Sequence, residues 1–432
     1  MITRLAALLL LSTAIPAFAG QAPGRADVPD IAISKSDRFY TSDQFSNTVS
    51  VIDPSQNKLL GVIKLGEPTP ANLSPLYRGQ VLVHGMGFSP DHKTLAVISI
   101  GSNSVSFIDT ETNAVKHTAY VGRSPHEAFF RPDGKEVWVS IRGEDYIQVL
   151  DGENFAPTTR IKVPNGPGMT IFSPDGRYGY VCSSFSPETV VIDTGTKKIV
   201  GSMKQDSPFC PDIAATPDGA QVWLTLKDIG KTMVFNAKPP FQSLKVLDTG
   251  PITNHVNIVR NGKEQFAYVT VGGLNLIKVF RTDGFEQVAS IPVGALPHGL
   301  WPSGDGTRVY VGLENADAAA VIDTASNKVI ETIPLAAKKP ACDRGASGRL
   351  FAVTGLEPKQ PYVLALAASA TGDGVVQPLA AFMSNPAGAA IVNAVGPIRQ
   401  VVSEVAAIQR RYLVIVEGMA DKPGKPVQIQ KP

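Results

Sequence analysis

The sequence predicts an all-β chain: a seven-bladed β-propeller followed by a small C-terminal antiparallel β domain. Three observations carry that expectation. Turn signals recur at Asp91, Asp133, Asp175, Asp218, Asn261 and Asp305, at intervals of 42, 42, 43, 43 and 44 residues. A constant period in this range marks stacked repeats, none of which can bury its apolar face alone. One period holds four short strands, which is the blade of a propeller. Alternating apolar strands end at Asp53, Asp109, Asp151, Asp193, Asn236, Arg281 and Asp323, so seven blades are expected.

Local chemistry justifies each piece of the repeat. Residues 85–115, 169–199 and 299–329 align as an apolar run, a Pro-Asp-Gly-like turn, a strand, a polar loop and an alternating strand such as VSFID. In the turn, Pro presets φ, Asp bonds its own backbone and Gly accepts a positive φ. Val, Ile, Tyr and Phe in alternation suit a pleated surface. The first blade, residues 31–53, is degenerate, with Lys35-Ser36-Asp37 in place of the turn. The step from Asp53 to Asp109 is 56 residues, which places an insertion at the Pro-rich segment 67–80. That segment is expected to form a loop over one face and to be available to a protein partner.

The stretches FYTSDQFSNTVSVID, AYVTVGGLNLIKVF and RVYVGLENADAAAVID resemble the YVTN-type β-propeller repeat family, over roughly residues 31–337. The resemblance implies an exported seven-bladed fold similar to lactonase-like enzymes and to the N-terminal propeller of nitrous oxide reductase. It implies little about activity, because propellers host many unrelated functions.

The ends and the composition narrow the setting. Residues 1–19 carry one charge at Arg4, a short apolar stretch and an Ala17-Phe18-Ala19 end. This is a secretory signal pattern, too short to span a bilayer. The mature chain is therefore expected to be periplasmic or secreted, with no membrane span. The net charge is +2, with basic and acidic residues interspersed, so no nucleic acid partner is expected. Cys182, Cys210 and Cys342 show no zinc spacing. A Cys182–Cys210 bridge and buried free thiols both fit an oxidising compartment.

The propeller is expected over 27–337, and the period is lost in 338–432. There, residues 347–369 read as two strands around Leu356-Glu357-Pro358, and residues 410–418 as a last strand. Between them, Pro386 to Ala407 fits a strand or a short helix. The whole reads as a sandwich-like β domain without a catalytic constellation, suited to docking a protein partner.

The sharpest functional clue is positional. His84, His126 and His298 each stand seven residues before a turn Asp, and His255 is one residue off that register. The equivalent positions in blades four and five hold Gly168 and Pro211, with Asp212 adjacent. First strands line a propeller channel, so these imidazoles are expected on one channel face, with Asp212 reaching it. Such a ring suits a divalent transition metal, for which His84, His126 and His298 are the candidate ligands. It also suits a small ligand, with His255 and Asp212 added to the set. The arrangement is similar in kind to the histidine-rich face of nitrous oxide reductase, but the Cys/His motifs of that enzyme's copper domain are missing. Glu127 is expected to face the neighbouring blade, because adjacent strand residues alternate. His92 and His117 read as surface residues. Three functions fit: an exported binding protein for a metal or small ligand, a metal-dependent lactonase-like hydrolase, and a protein scaffold without a small ligand. The sequence leaves open whether the chain is an enzyme.

Overall fold

Alternating Val, Ile, Phe and Tyr between Asp, Asn and Gly turns give strands almost throughout. The computed structural model describes residues 31–66, 81–262, 264–335, 347–369, 371–372, 376–396 and 412–429. The expected signal segment, the 67–80 insertion and Cys342 lie outside these residues. Among the described residues, seven consecutive antiparallel sheets run from Phe39 to Pro334, the first of three strands and the others of four. The first blade is thus one strand short of the expected pattern. Residues 31–38 form no strand; instead Asp37 accepts a hydrogen bond from the Ser34 amide and closes a turn.

The burial pattern shows how the sheets stack. Strands such as Ser104–Asp109 and Tyr146–Asp151 are buried on both faces, because each blade lies between two others. The outermost strands are largely exposed, and in the second to seventh sheets each buries one residue: Ala119, Ile161, Met203, Leu247, Ile291 or Ile333. The seventh sheet packs on the first, so the ring closes. Phe39 stacks on Tyr310 at 4.5 Å, and the Tyr310 hydroxyl donates to the Pro54 carbonyl at 3.3 Å.

The repeat motif residues are links between successive blades. The second-strand tyrosines reach outward to the next blade: Tyr40 donates to Asn113 at 3.0 Å and Tyr268 to Asn327 at 2.6 Å. Inside the ring, Thr270 donates to the carbonyl of His298 at 2.9 Å and accepts from the His255 amide at 2.7 Å. Thr225 donates in the same way to the Asn254 carbonyl. Cys182 occupies the matching position in its own strand, and there the link is covalent: Cys182 and Cys210 form a disulfide with Cα atoms 5.9 Å apart.

Charge links the outer rim as well. Glu136 accepts from Lys197 of the next sheet at 2.6 Å and from the Trp138 indole at 2.9 Å. Burial alone would raise the Glu136 pKa, but these bonds and the Lys197 charge hold it below the usual value. A carboxyl with a depressed folded pKa contributes stability above its unfolded pKa and loses it as pH falls through the folded value. Glu136→Gln is therefore expected to cost about 1–2 kcal/mol at pH 7 in chemical denaturation. The gap from the parent should shrink on acidification below about pH 4; a gap that stays constant down to pH 3 would contradict this account.

Beyond the ring, Pro361–Ala367 pairs with Val376–Met383 on one side and Tyr412–Met419 on the other, and Lys422–Ile429 completes a four-stranded sheet. Ser347–Val353 pairs with Ala390–Gly396. The two strands expected around Leu356-Glu357-Pro358 therefore belong to different sheets. The Ala-rich stretch begins in a turn, is a strand over Ala390–Gly396, and its remainder lies outside the described residues. Val353, Leu356, Tyr362, Leu364, Val392 and Ile415 share the core between the two sheets.

Candidate metal and ligand site

Two local devices aim side chains at the channel mouth. The first is an entry turn. Leu82, Ser124, Gly166, Ile252 and Leu296 all have positive φ, and each precedes a first strand. Asn side chains from the preceding blade clamp three of these turns: Asn47 accepts from the Leu82 amide at 2.9 Å, Asn103 from Ser124 at 2.8 Å and Asn275 from Leu296 at 2.9 Å. The second device is a β-bulge. The register shifts by one residue between Val83 and Met86, Pro125 and Ala128, Thr253 and Val256, and Pro297 and Leu300. A bulge breaks alternation and re-aims side chains, and every ring histidine sits in one. Asn103→Ala removes the clamp on Ser124 and puts Ala at φ 52°. The expected cost is about 2 kcal/mol, with altered chemical shifts for His126 in an imidazole NMR spectrum. Unchanged stability and shifts would show that the clamp does not position the site.

The four histidines converge. Ring centroids are 4.3 Å apart for His84 and His126, 6.4 Å for His84 and His298, and 4.7 Å for His255 and His298. His126 Nδ1 lies 2.9 Å from the Gly168 carbonyl. A carbonyl only accepts, so Nδ1 carries the hydrogen and the Nε2 lone pair is left for a ligand. His255 Nδ1 is 3.2 Å from the Asp212 carboxylate, which also accepts from the Val256 amide at 2.9 Å. His298 Nδ1 is 3.5 Å from Glu314. Asp212 thus lies buried against the His255 ring. His92 and His117 are exposed on outer strands and turns.

Glu127 corrects one expectation. It does face the neighbouring blade, where a Cβ at Gly85 would come within 2.0 Å of its carboxylate. The bulge also brings it to the ring: its Oε1 lies 3.8 Å from His84 Nδ1 and 3.7 Å from His126 Nδ1. Alternation fails here because His126 and Glu127 are the two bulged residues. The ligand-bearing atoms of His84, His126 and Glu127 lie within 4.8 Å of one another.

Sequence reasoning missed Arg142, Lys227 and Glu314, which line the same cavity. A signal for them exists. Each stands sixteen residues after a ring position (126, 211 and 298) and directly follows a second strand. The cavity measures about 160 Å³ and is also lined by Phe209 and Ile391. Ile391 belongs to the C-terminal sheets, which close over this mouth: Ala389, Ala352 and Ile391 pack on Ile252 and Leu296. Burial, then the charges of His255 and Arg142, push the His84 pKa down to about 4. Burial likewise holds His126 and His298 well below the usual range, so these imidazoles are neutral at pH 7. Burial, then the charge of Asp212, raises the Glu127 pKa well above normal.

Fold and site together define a β-propeller with a histidine-lined mouth. The chain belongs to the YNCE-like beta-propeller family, which matches residues 6–343. No curated protein matches it. Solved structures share the fold. Hydrazine synthase from Kuenenia stuttgartiensis is 20% identical with a TM-score of 0.57, over 70% of this chain and 97% of that one. The dihydro-heme d1 dehydrogenase NirN, in complex with DHE, is 11% identical with a TM-score of 0.51, over 84% of this chain and 78% of that one. A functionally unknown protein from Desulfotomaculum acetoxidans is 15% identical with a TM-score of 0.58, over 68% of this chain and 95% of that one.

Proposed function

We propose that this chain is an exported propeller protein that binds a divalent transition metal at its histidine-lined mouth. The observation that carries the reading is the anchoring of the imidazoles. The His126 Nδ1 hydrogen bond to the Gly168 carbonyl fixes that tautomer, and the Nδ1 atoms of His255, His298 and His84 stand 3.2, 3.5 and 3.8 Å from carboxylates of the kind that orient metal-binding histidines. With metal–nitrogen bonds near 2 Å, rings around one ion have centres about 5 Å apart, and the separations from His84 to His126 and to His298, 4.3 and 6.4 Å, bracket that value. An imidazole set suits zinc, copper or nickel. His84, His126 and His298 are the proposed ligands, with Glu127 beside them and His255 and Asp212 completing the wall.

Size supports an ion with a small ligand. The NirN neighbour holds DHE, but a cavity of about 160 Å³ is smaller than the ~300–1,000 Å³ pockets that take drug-sized molecules. In this reading residues 1–19 direct export, 27–337 form the propeller, and 338–432 form a separate domain that covers the mouth. The exposed Met383 and Met419, at one end of its four-stranded sheet, support a docking surface for a protein partner. A second reading, metal-assisted hydrolysis, draws on Glu127, whose carboxylate lies beside His84 and His126 and whose pKa burial raises. Its test is lactone turnover that chelation abolishes.

The test of the first reading is the metal content of untagged protein purified from an exporting host. About one zinc, copper or nickel ion per chain is expected. No bound metal, together with no stabilisation by added zinc or copper, would overturn it.

A further inference from the structure

The same cavity presents two cations that the metal reading leaves unused. Arg142 and Lys227 line it together with the ring histidines and Glu314. Both flank one aromatic ring: the Arg142 guanidinium lies 5.5 Å and the Lys227 ammonium 5.6 Å from the centroid of Phe209. Arg142 also lies over Phe185 at 5.4 Å, which fixes its plane. Its Nε is buried and, among the described residues, has no hydrogen-bond partner. A buried donor without a partner costs about 1–3 kcal/mol. Placing two such cations beside a divalent ion adds repulsion that an anion between them would remove.

We infer that the cavity binds a small oxyanion, held by Arg142 and Lys227 against the metal. Arginine presents a planar fork matched to carboxylate and phosphate oxygens, and lysine adds a point charge. At about 160 Å³ the space holds roughly five water-sized groups, so a compact oxyanion fits and a nucleotide does not. Burial draws the Lys227 pKa down to about 8, which leaves its charge largely in place at neutral pH. Ile391 of the C-terminal sheets adds an apolar side chain to the lining.

The inference rests on the proposed metal site, and one titration series separates the two. Zinc binding to the full mature chain is measured by calorimetry with no added anion, with oxalate and with inorganic phosphate. The parent is compared with Arg142→Gln and Lys227→Met, each confirmed folded by circular dichroism. The expected result is that oxalate or phosphate tightens zinc binding at least tenfold in the parent and by less than twofold in either variant. Linkage requires the reciprocal gain, so zinc must tighten the anion equally. Without anion, each variant should bind zinc more tightly than the parent, because a repelling charge is gone. Planar oxalate and tetrahedral phosphate distinguish the geometry of the oxyanion. Zinc binding that neither anion alters overturns this inference and leaves the metal site standing. Anion binding that depends on Arg142 and Lys227, in a parent chain that binds no zinc with or without anion, overturns the metal reading and leaves the oxyanion site. An anion effect equal in parent and variants overturns the assignment to these two residues.

Discussion

The His126→Ala, His298→Ala double variant is expected to lose metal binding, with zinc affinity reduced at least a hundredfold. The two residues come from the third and seventh sheets and belong to opposite flanks of the cluster around His84. Removing both leaves His84 and His255 without a shared geometry. Zinc at a hundredfold excess over its dissociation constant stabilises the folded parent by about 2.7 kcal/mol, or about 3 °C in melting temperature for a chain this long. That shift should vanish in the variant. The variant itself should fold, since losing the His126 bond to the Gly168 carbonyl costs only about 1 kcal/mol. Equal zinc-induced shifts in the two proteins would remove these histidines from the metal site. A parent without any shift would count against the site as a whole.

Loss of the Cys182–Cys210 disulfide is the largest expected stability effect. The bridge closes a loop spanning 28 residues, for which chain entropy predicts about 3–4 kcal/mol. Its position makes it more than a loop closure. Cys182 lies on the inner second strand of the fourth sheet, and Cys210 leads into the fifth through Pro211 and Asp212. Asp212 orients His255, so the bridge anchors one wall of the site. The Cys182→Ala, Cys210→Ala variant should melt well below the parent and bind zinc more weakly. Reduction of the parent by dithiothreitol should reproduce both changes. If reduction left melting and zinc affinity unaltered, the bridge would contribute to neither.

How much could be read in advance is clear from particular residues. The ring histidines were legible because a repeat places equivalent residues at equivalent sites, so a shared offset from the turn Asp implies a shared face. Arg142, Lys227 and Glu314 obey a second offset of the same kind, yet their differing charges conceal it. Glu127 was legible as facing the neighbouring blade but not as reaching the ring, because the alternation rule assumes a regular strand, and a bulge depends on pairing with Glu136–Ile141, which periodicity does not reveal. The choice between free thiols and a bridge at Cys182 needed the distance between two blades. The C-terminal strands show the same division: Pro361–Ala367 and Tyr412–Met419 read as apolar strands, but their partners did not.

By itself the sequence determined the repeat, the all-β architecture and the common register of the histidines, since these depend on turn chemistry and on periods within tens of residues. Only the tertiary structure decided which carboxylate supports which imidazole, that two cations share the cavity, and that Ile391 closes it. Those contacts join residues separated by 43 positions for Asp212 and His255, and by 95 for Leu296 and Ile391. Pairings that distant are set by how blades stack and how the tail folds back, and no local pattern encodes them.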